Sequence, residues 1–326
     1  MRRTIALMVA ALLAIQIQAF AGTYEINIAI HTHGNEINEA LSAKKLKELV
    51  EERTKGDITV NYYPSGQLGT EMENIAQIKT GEIECALLSS AAFGMIIPDY
   101  EAPSIPYAFP SSDAVKEYWD GPVGAIAKQE LQKRNNILFF GTLARGPRML
   151  TANRAIPTPA ELKGLKIRVP EIKSWITVWH SMGALPTPVN LNETYTALQT
   201  RVVEAQENPI DTIFGAKFHE VQTHTMLTEH VYAYFYWCYN QAFFERLPKN
   251  YQDIVTEATA EALAWGNNNI ARLEQELIAK MVDQGNIMVK VDKPAYMEAA
   301  KNGVIEAAQV LAPEAKAVVM KHLGVN

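Results

Sequence analysis

TYEINIAIHTHGNEINEALSAKKLKELVEERTKGDITVNYYPSGQLGTEMENIAQIKTGEIECALL, residues 23–88, switches between two hydrophobic rhythms, and the switching decides the fold class. Residues 24–31 alternate apolar and polar side chains, the period of a half-buried strand. Residues 35–52 carry Ile37, Leu41, Leu46, Leu49 and Val50 at helical spacing, and Gly56 ends that run. Residues 58–63 form a second strand closed by the turn sequence Pro64-Ser65-Gly66. Residues 71–80 form a second helix, with Gly81 where a left-handed cap favours glycine, and residues 83–88 a third strand. Strand, helix, strand, helix, strand predicts an α/β protein whose parallel strands are covered by helices.

Working outward from that stretch, the N-terminus has the form of an export signal. Arg2 and Arg3 precede an apolar run over residues 5–17, and Ala19-Phe20-Ala21 before Gly22 has the small-x-small form of a cleavage site. The run is shorter than the roughly 20 residues that span a bilayer. Residues 1–21 are therefore expected to be removed between Ala21 and Gly22, placing the mature chain in the periplasm. No later stretch is long and apolar enough for a membrane helix.

Downstream, a second α/β unit is expected from near Gly141. Thr158-Pro159-Ala160-Glu161 is a capping box with proline at the first helical position, and Gly164 precedes a strand over residues 166–169. Helices are expected over 175–182 and 192–200, a short strand over 202–205, and a long aromatic strand over 232–240. From Asn250, a plausible N-cap, apolar residues at helical spacing run to Gly285, a helix of roughly 50 Å that should brace two lobes. The expected division is residues 22–145 plus about 238–270 in one lobe, and 146–237 plus about 271–326 in the other. Several crossing segments would then form the hinge, as suits a clamp.

Composition narrows the function. Removing 21 of the 326 residues leaves 305, more than one core usually serves. Losing Arg2 and Arg3 leaves 28 basic against 36 acidic side chains, a net charge of −8, which argues against nucleic acid but not against an anionic ligand. Cys85 and Cys238 are too few for a disulfide scaffold. They either pair in an oxidising compartment or are two small buried side chains, and the frequent burial of free cysteine favours the second reading. His219 and His224 are five apart where a helical zinc pair needs four; His31 and His33 share a strand face but lack a third ligand, so no metal site is expected. No serine elbow or phosphate loop occurs, and no cofactor is expected.

The arginines carry more. Arg148 lies between Pro147 and Met149-Leu150; in LKIRVP (165–170), Arg168 points to the face opposite Ile167 and Val169. A guanidinium at the end of an apolar strand either grips a ligand carboxylate with its flat fork or pairs with an internal acid such as Glu171 or Glu204; the chemistry leaves both readings open. Trp175 and Trp179, one turn apart after Arg168, and Tyr234 to Trp237 either wall a pocket for an aromatic or branched acid or fill the cores, with Trp175 the best pocket candidate.

The runs AELKGLKIRVPE (160–171), GALPTPVNLNETYTALQTRVVEAQENP (183–209) and KFHEVQ (217–222), with YYPSGQLGTEMENIAQIKTGEIE (62–84) and GPRMLTANRAI (146–156), strongly resemble the substrate-binding proteins of tripartite ATP-independent periplasmic (TRAP) transporters. The resemblance implies a two-lobed periplasmic-binding-protein (Venus flytrap) fold with a long helix spanning both lobes. It implies that Arg168 binds the carboxylate of a small organic acid, supported by Arg148 and Asn208, with Glu71, Ser89, Glu171 and His31 around the pocket. Integral membrane permease subunits driven by an ion gradient are the implied partners. Two departures stand out: Ala205 where the family commonly has glycine, and Arg201 where it has a small or polar residue. The alternatives are a sensor docking on a receptor kinase, and an enzyme using Glu171 as a base.

Overall fold

The computed structural model of the protein describes residues 23–34 and 36–325; the expected export signal lies outside the described residues. The strands are β1 (Tyr24–Ala29), β2 (Ile58–Tyr63), β3 (Cys85–Ser89), β4 (Ile137–Ala152), β5 (Lys166–Val169), β6 (Leu185–Pro188), β7 (Ala205–Pro209), β8 (His224–Met226), β9 (Tyr232–Asn240) and β10 (Ile287–Val289). The α-helices are α1 (Asn38–Arg53), α2 (Glu71–Thr80), α3 (Ser90–Ile96), α4 (Ser112–Asp120), α5 (Pro122–Asn135), α6 (Lys173–Ser181), α7 (Leu191–Gln199), α8 (Ile210–Gly215), α9 (Gln241–Arg246), α10 (Lys249–Asp283), α11 (Lys293–Ala307) and α12 (Pro313–His322).

The strands order as β2-β1-β3-β9-β4-β7-β5-β6, an α/β arrangement with two parallel units. β1 lies parallel between β2 and β3, and β5 parallel between β6 and β7, each joined by the helical crossovers that parallel pairing requires. Antiparallel β9 and the 16-residue β4 join them: β4 pairs with β9 as far as Pro147, and from Arg148 to Ala152 it pairs with β7. Helix α10, about 50 Å long at 1.5 Å per residue, ties the halves together. Val255, Ala258 and Ala262 near its start pack with α1 residues Leu46 and Val50, while Met281 near its end packs with Ile213 and Phe218 beside α8.

Several expectations are corrected. The short strand expected over 202–205 is β7, because Arg201 takes a left-handed φ of 59° and delays the strand past the turn. The whole AQENP block is consequently buried strand. Helix α10 starts at Lys249 behind Pro248, with no side-chain cap from Asn250, since proline cannot continue helix α9 and its fixed φ suits a helix entrance. The Thr158 capping box forms, but it closes only one 3-10 turn, Pro159–Leu162. β9 pairs with β4 along its whole length and with β3 over Phe235–Tyr239. The cysteines are free and buried; Cys85 belongs to the core cluster beneath α1 and Cys238 to the cluster on the other face of the sheet.

Candidate ligand-binding site

A cavity of about 570 Å³ opens at the carboxyl ends of the parallel strands of both units, the place where open α/β sheets present ligand sites. His31 and Thr32 follow β1, and Ser89 ends β3. Across the cavity, Arg168 stands in β5 with Glu171 just beyond it, and Asn208 stands in β7. Glu71, first residue of α2, accepts hydrogen bonds from the Ser89 backbone N–H (2.7 Å) and hydroxyl (3.0 Å) and faces the His31 ring at 3.6 Å. Burial holds the His31 imidazole below its usual value, against the opposing pull of Glu71.

Three arginines line the cavity, and their partners separate them. Arg145 is paired with Asp211 at 3.2 Å and lies 4.2 Å over the Phe235 ring. Arg148 donates to Glu207 from Nε (2.6 Å) and Nη2 (3.1 Å) and to Asn208 Oδ1 (2.9 Å). Glu207 is fully buried, as is His230, whose Nε2 meets Glu207 Oε2 at 2.9 Å. Burial alone would raise the Glu207 carboxyl; Arg148 and His230 outweigh it and hold it below the usual range. Arg168 differs: it is 4 % exposed, forms no ion pair among the described residues, and its Nε donates to the Val189 carbonyl at 2.8 Å. Burial pulls its guanidinium down to about 10, only partly offset by Glu207.

Local structure explains these placements. Arg145 and Arg148 are three apart, a spacing that puts side chains on opposite faces of a regular strand. A register slip between Ala144 and Gly146 inserts a bulge, and both guanidinium groups then reach the cavity. The bond from Arg168 to Val189 sets its fork beside the start of α7, where Asn190 provides no side-chain cap. Uncapped N–H groups and the positive end of the helix add to the guanidinium there, so this corner of the cavity favours an anion.

Of the residues singled out from sequence, Arg168, Arg148, Asn208, Glu171, Glu71, Ser89 and His31 line the cavity, and Trp175 does not. Trp175 is fully buried behind the wall, with Arg148 4.8 Å over its ring; the expectation that it faces the ligand is corrected, because a guanidinium stacked on an indole shields it from the cavity. Arg168 pairs with neither Glu171 nor Glu204, whereas Arg148 does hold an internal acid, Glu207. Sequence reasoning missed Arg145, Glu193 and the Glu207–His230 pair. The proximity of Arg145 to Gly146-Pro147 was the one available signal for a bulge. His219 bonds Gln284 at 2.8 Å and stacks on Phe214, and no group of three metal-binding side chains exists among the described residues.

Residues 30–309 match the family model DctP, bacterial extracellular solute-binding protein, family 7. The chain belongs to that family of TRAP solute-binding proteins. Among its relatives is a solute-binding protein of Roseobacter denitrificans, 32% identical over 265 residues and 81% of each chain. Another is the 2,3-diketo-L-gulonate-binding periplasmic protein YiaO of Escherichia coli, 31% identical over 82% of each. A solved TRAP periplasmic solute-binding protein of Roseobacter denitrificans, with bound L-galactonate, matches at TM-score 0.85 and 29% identity, covering 92% of this chain and 99% of that one. One from Shewanella oneidensis, with bound succinate, matches at TM-score 0.86 and 25% identity, covering 92% and 99%. These family relatives are binding proteins, and among the described residues no helix of this TRAP protein is long and apolar enough to cross a membrane.

Proposed function

We propose that this protein captures a small organic carboxylate on Arg168 and delivers it to the integral membrane subunits of a TRAP transporter. The observation that carries the reading is the buried Arg168 guanidinium, which has no ion-pair partner among the described residues and borders a cavity. Keeping a charge out of water without a partner is costly, and a carboxylate seated on it would supply the missing bonds. Among the described residues Arg148 Nη1 has no hydrogen-bond partner and can reach the same carboxylate, with Asn208 held beside it by Arg148. His31, Glu71, Ser89 and Glu171 then contact the rest of the molecule, and Trp175 supports Arg148 from behind.

The relatives' bound acids, L-galactonate and succinate among them, support this class of ligand. An aromatic or branched acid gains no ring contact here: among the described residues no phenyl, phenol or indole ring lines the cavity. In the proposed cycle the export signal is cleaved near Ala21, the lobes close over the acid around β4, β9 and α10, and the closed form docks on the permease. Capture of those membrane subunits by tagged, ligand-loaded protein tests the partner; capture of a receptor kinase instead would favour the sensor reading. Turnover of the bound acid would favour the enzyme reading, with Glu171 as its base.

Titration calorimetry with small organic acids tests the site. Arg168→Ala should lower affinity by about 2–5 kcal/mol, the cost of removing one partner of a buried charge pair; unchanged affinity would defeat the assignment.

A further inference from the structure

We infer that the cavity selects a polyhydroxylated monocarboxylate, a sugar acid, and rejects dicarboxylates; the inference rests on the carboxylate-binding reading above and narrows it. The charge arrangement carries it. Of the three lining arginines, Arg145 is neutralised by Asp211 and Arg148 by Glu207, so one carboxylate on Arg168 uses the only unpaired guanidinium among the described lining residues. Among the described residues no lysine lines the cavity, and the remaining charged side chains there, Glu71, Glu171 and Glu193, are all acids. A second carboxylate would lose water beside like charges with no cation to receive it.

Glu171 and Glu193 are exposed and screened by solvent, which leaves Glu71, with 16% of its side chain exposed, as the main determinant. Around it stand the hydroxyls of Thr32, Thr70 and Ser89, and the mouth carries the amides of Asn190 and Asn192. The three hydroxyls donate to Glu39, Glu73 and Glu71 and so offer a ligand acceptor lone pairs, the amides both donate and accept, and a carboxylate accepts only. A chain of ligand hydroxyls satisfies both kinds of group at once. An ammonium, the other group that Glu71 would attract, can only donate, and would leave the amide donors of Asn190 and Asn192 without acceptors. No aromatic cage for a cation lines the cavity among the described residues.

The test is calorimetric titration of the full mature protein, stripped of ligand, with matched six-carbon probes. These are the epimers of gluconate and galacturonate; glucarate, with a second carboxylate; hexanoate, without hydroxyls; and 6-aminohexanoate, with an ammonium. Succinate completes the set. The best hydroxylated monoacid should bind at least about a hundredfold tighter than any of the other four, a difference of about 2.7 kcal/mol. Glu71→Gln, whose carbonyl still accepts from Ser89, should shrink the preference over glucarate at least tenfold. Glucarate, succinate or 6-aminohexanoate binding as tightly as the best sugar acid would overturn the inference and leave the carboxylate reading standing. Failure of every acid to bind would overturn the carboxylate reading itself. The panel on the unmutated protein decides the matter even if Glu71→Gln does not fold.

Discussion

Arg148 and Arg168 are both buried arginines at one cavity, yet their removal should have opposite consequences. Arg148 holds Glu207, which is wholly buried, so Arg148→Ala leaves that carboxylate to the His230 ring without its arginine and should cost about 3–5 kcal/mol in urea unfolding. Arg168 holds no acid among the described residues, and Arg168→Ala should leave the ligand-free protein as stable as before or more so while abolishing tight acid binding. A thermal melt run beside the titration separates the two. Glu39 supplies a pH dependence. Burial, with Asp211 adding to it, pushes its carboxyl up to about 7 from an ordinary 4.5. The folded state therefore holds that proton more tightly than the unfolded state does. The stability it lends is full below the unfolded value and is lost as pH rises through the folded value. Glu39→Gln should remove a fall of roughly 3 kcal/mol between about pH 5 and pH 8; an unchanged pH profile of melting would refute this.

Helix α10 is the element on which the two halves lean, and Gly266 marks its closest approach. A Cβ there would come within 2.3 Å of the Ser42 hydroxyl on α1 and 2.4 Å of Leu143 Cδ1 on β4. Gly266→Ala should consequently destabilise by about 1–3 kcal/mol despite alanine's better helix propensity, a reversal visible in denaturant unfolding. The strands β3 and β9 decide the cysteines. Their register pairs Cys85 with Tyr239 and Ala86 with Cys238, so the pleat sends the two sulfurs to opposite faces of the sheet. Titration of the denatured protein with a thiol reagent should find two free thiols.

At the scale of the whole molecule, ligand and fold are linked through the cavity between the two parallel units. A saturating acid, at a hundred times its dissociation constant, should stabilise the protein by about 2.7 kcal/mol, and small-angle scattering should show the particle contract if the lobes close. Legibility in the sequence divides along the same line as range. Periodicity determined β1, β2, α2 and β5 because those patterns report burial of one face, a property that neighbouring residues share, and aromatic and β-branched content marked β9. The LKIRVP stretch likewise put Arg168 on a face apart from the core, and the resemblance to TRAP binding proteins marked seven of the residues that line the cavity. Whether an arginine is free or engaged depends on partners distant in sequence: Glu207 is 59 residues from Arg148, and no local pattern encodes their contact. The same holds for Trp175, buried beneath that guanidinium, and for Arg145, turned inward by a bulge. The sequence by itself determined the α/β alternation, the long helix and the candidate arginines, because these follow from local periodicity and residue chemistry. Only the tertiary structure decided which guanidinium is left unpaired, because neutralisation of a buried charge depends on what the folded chain brings within a few ångströms of it.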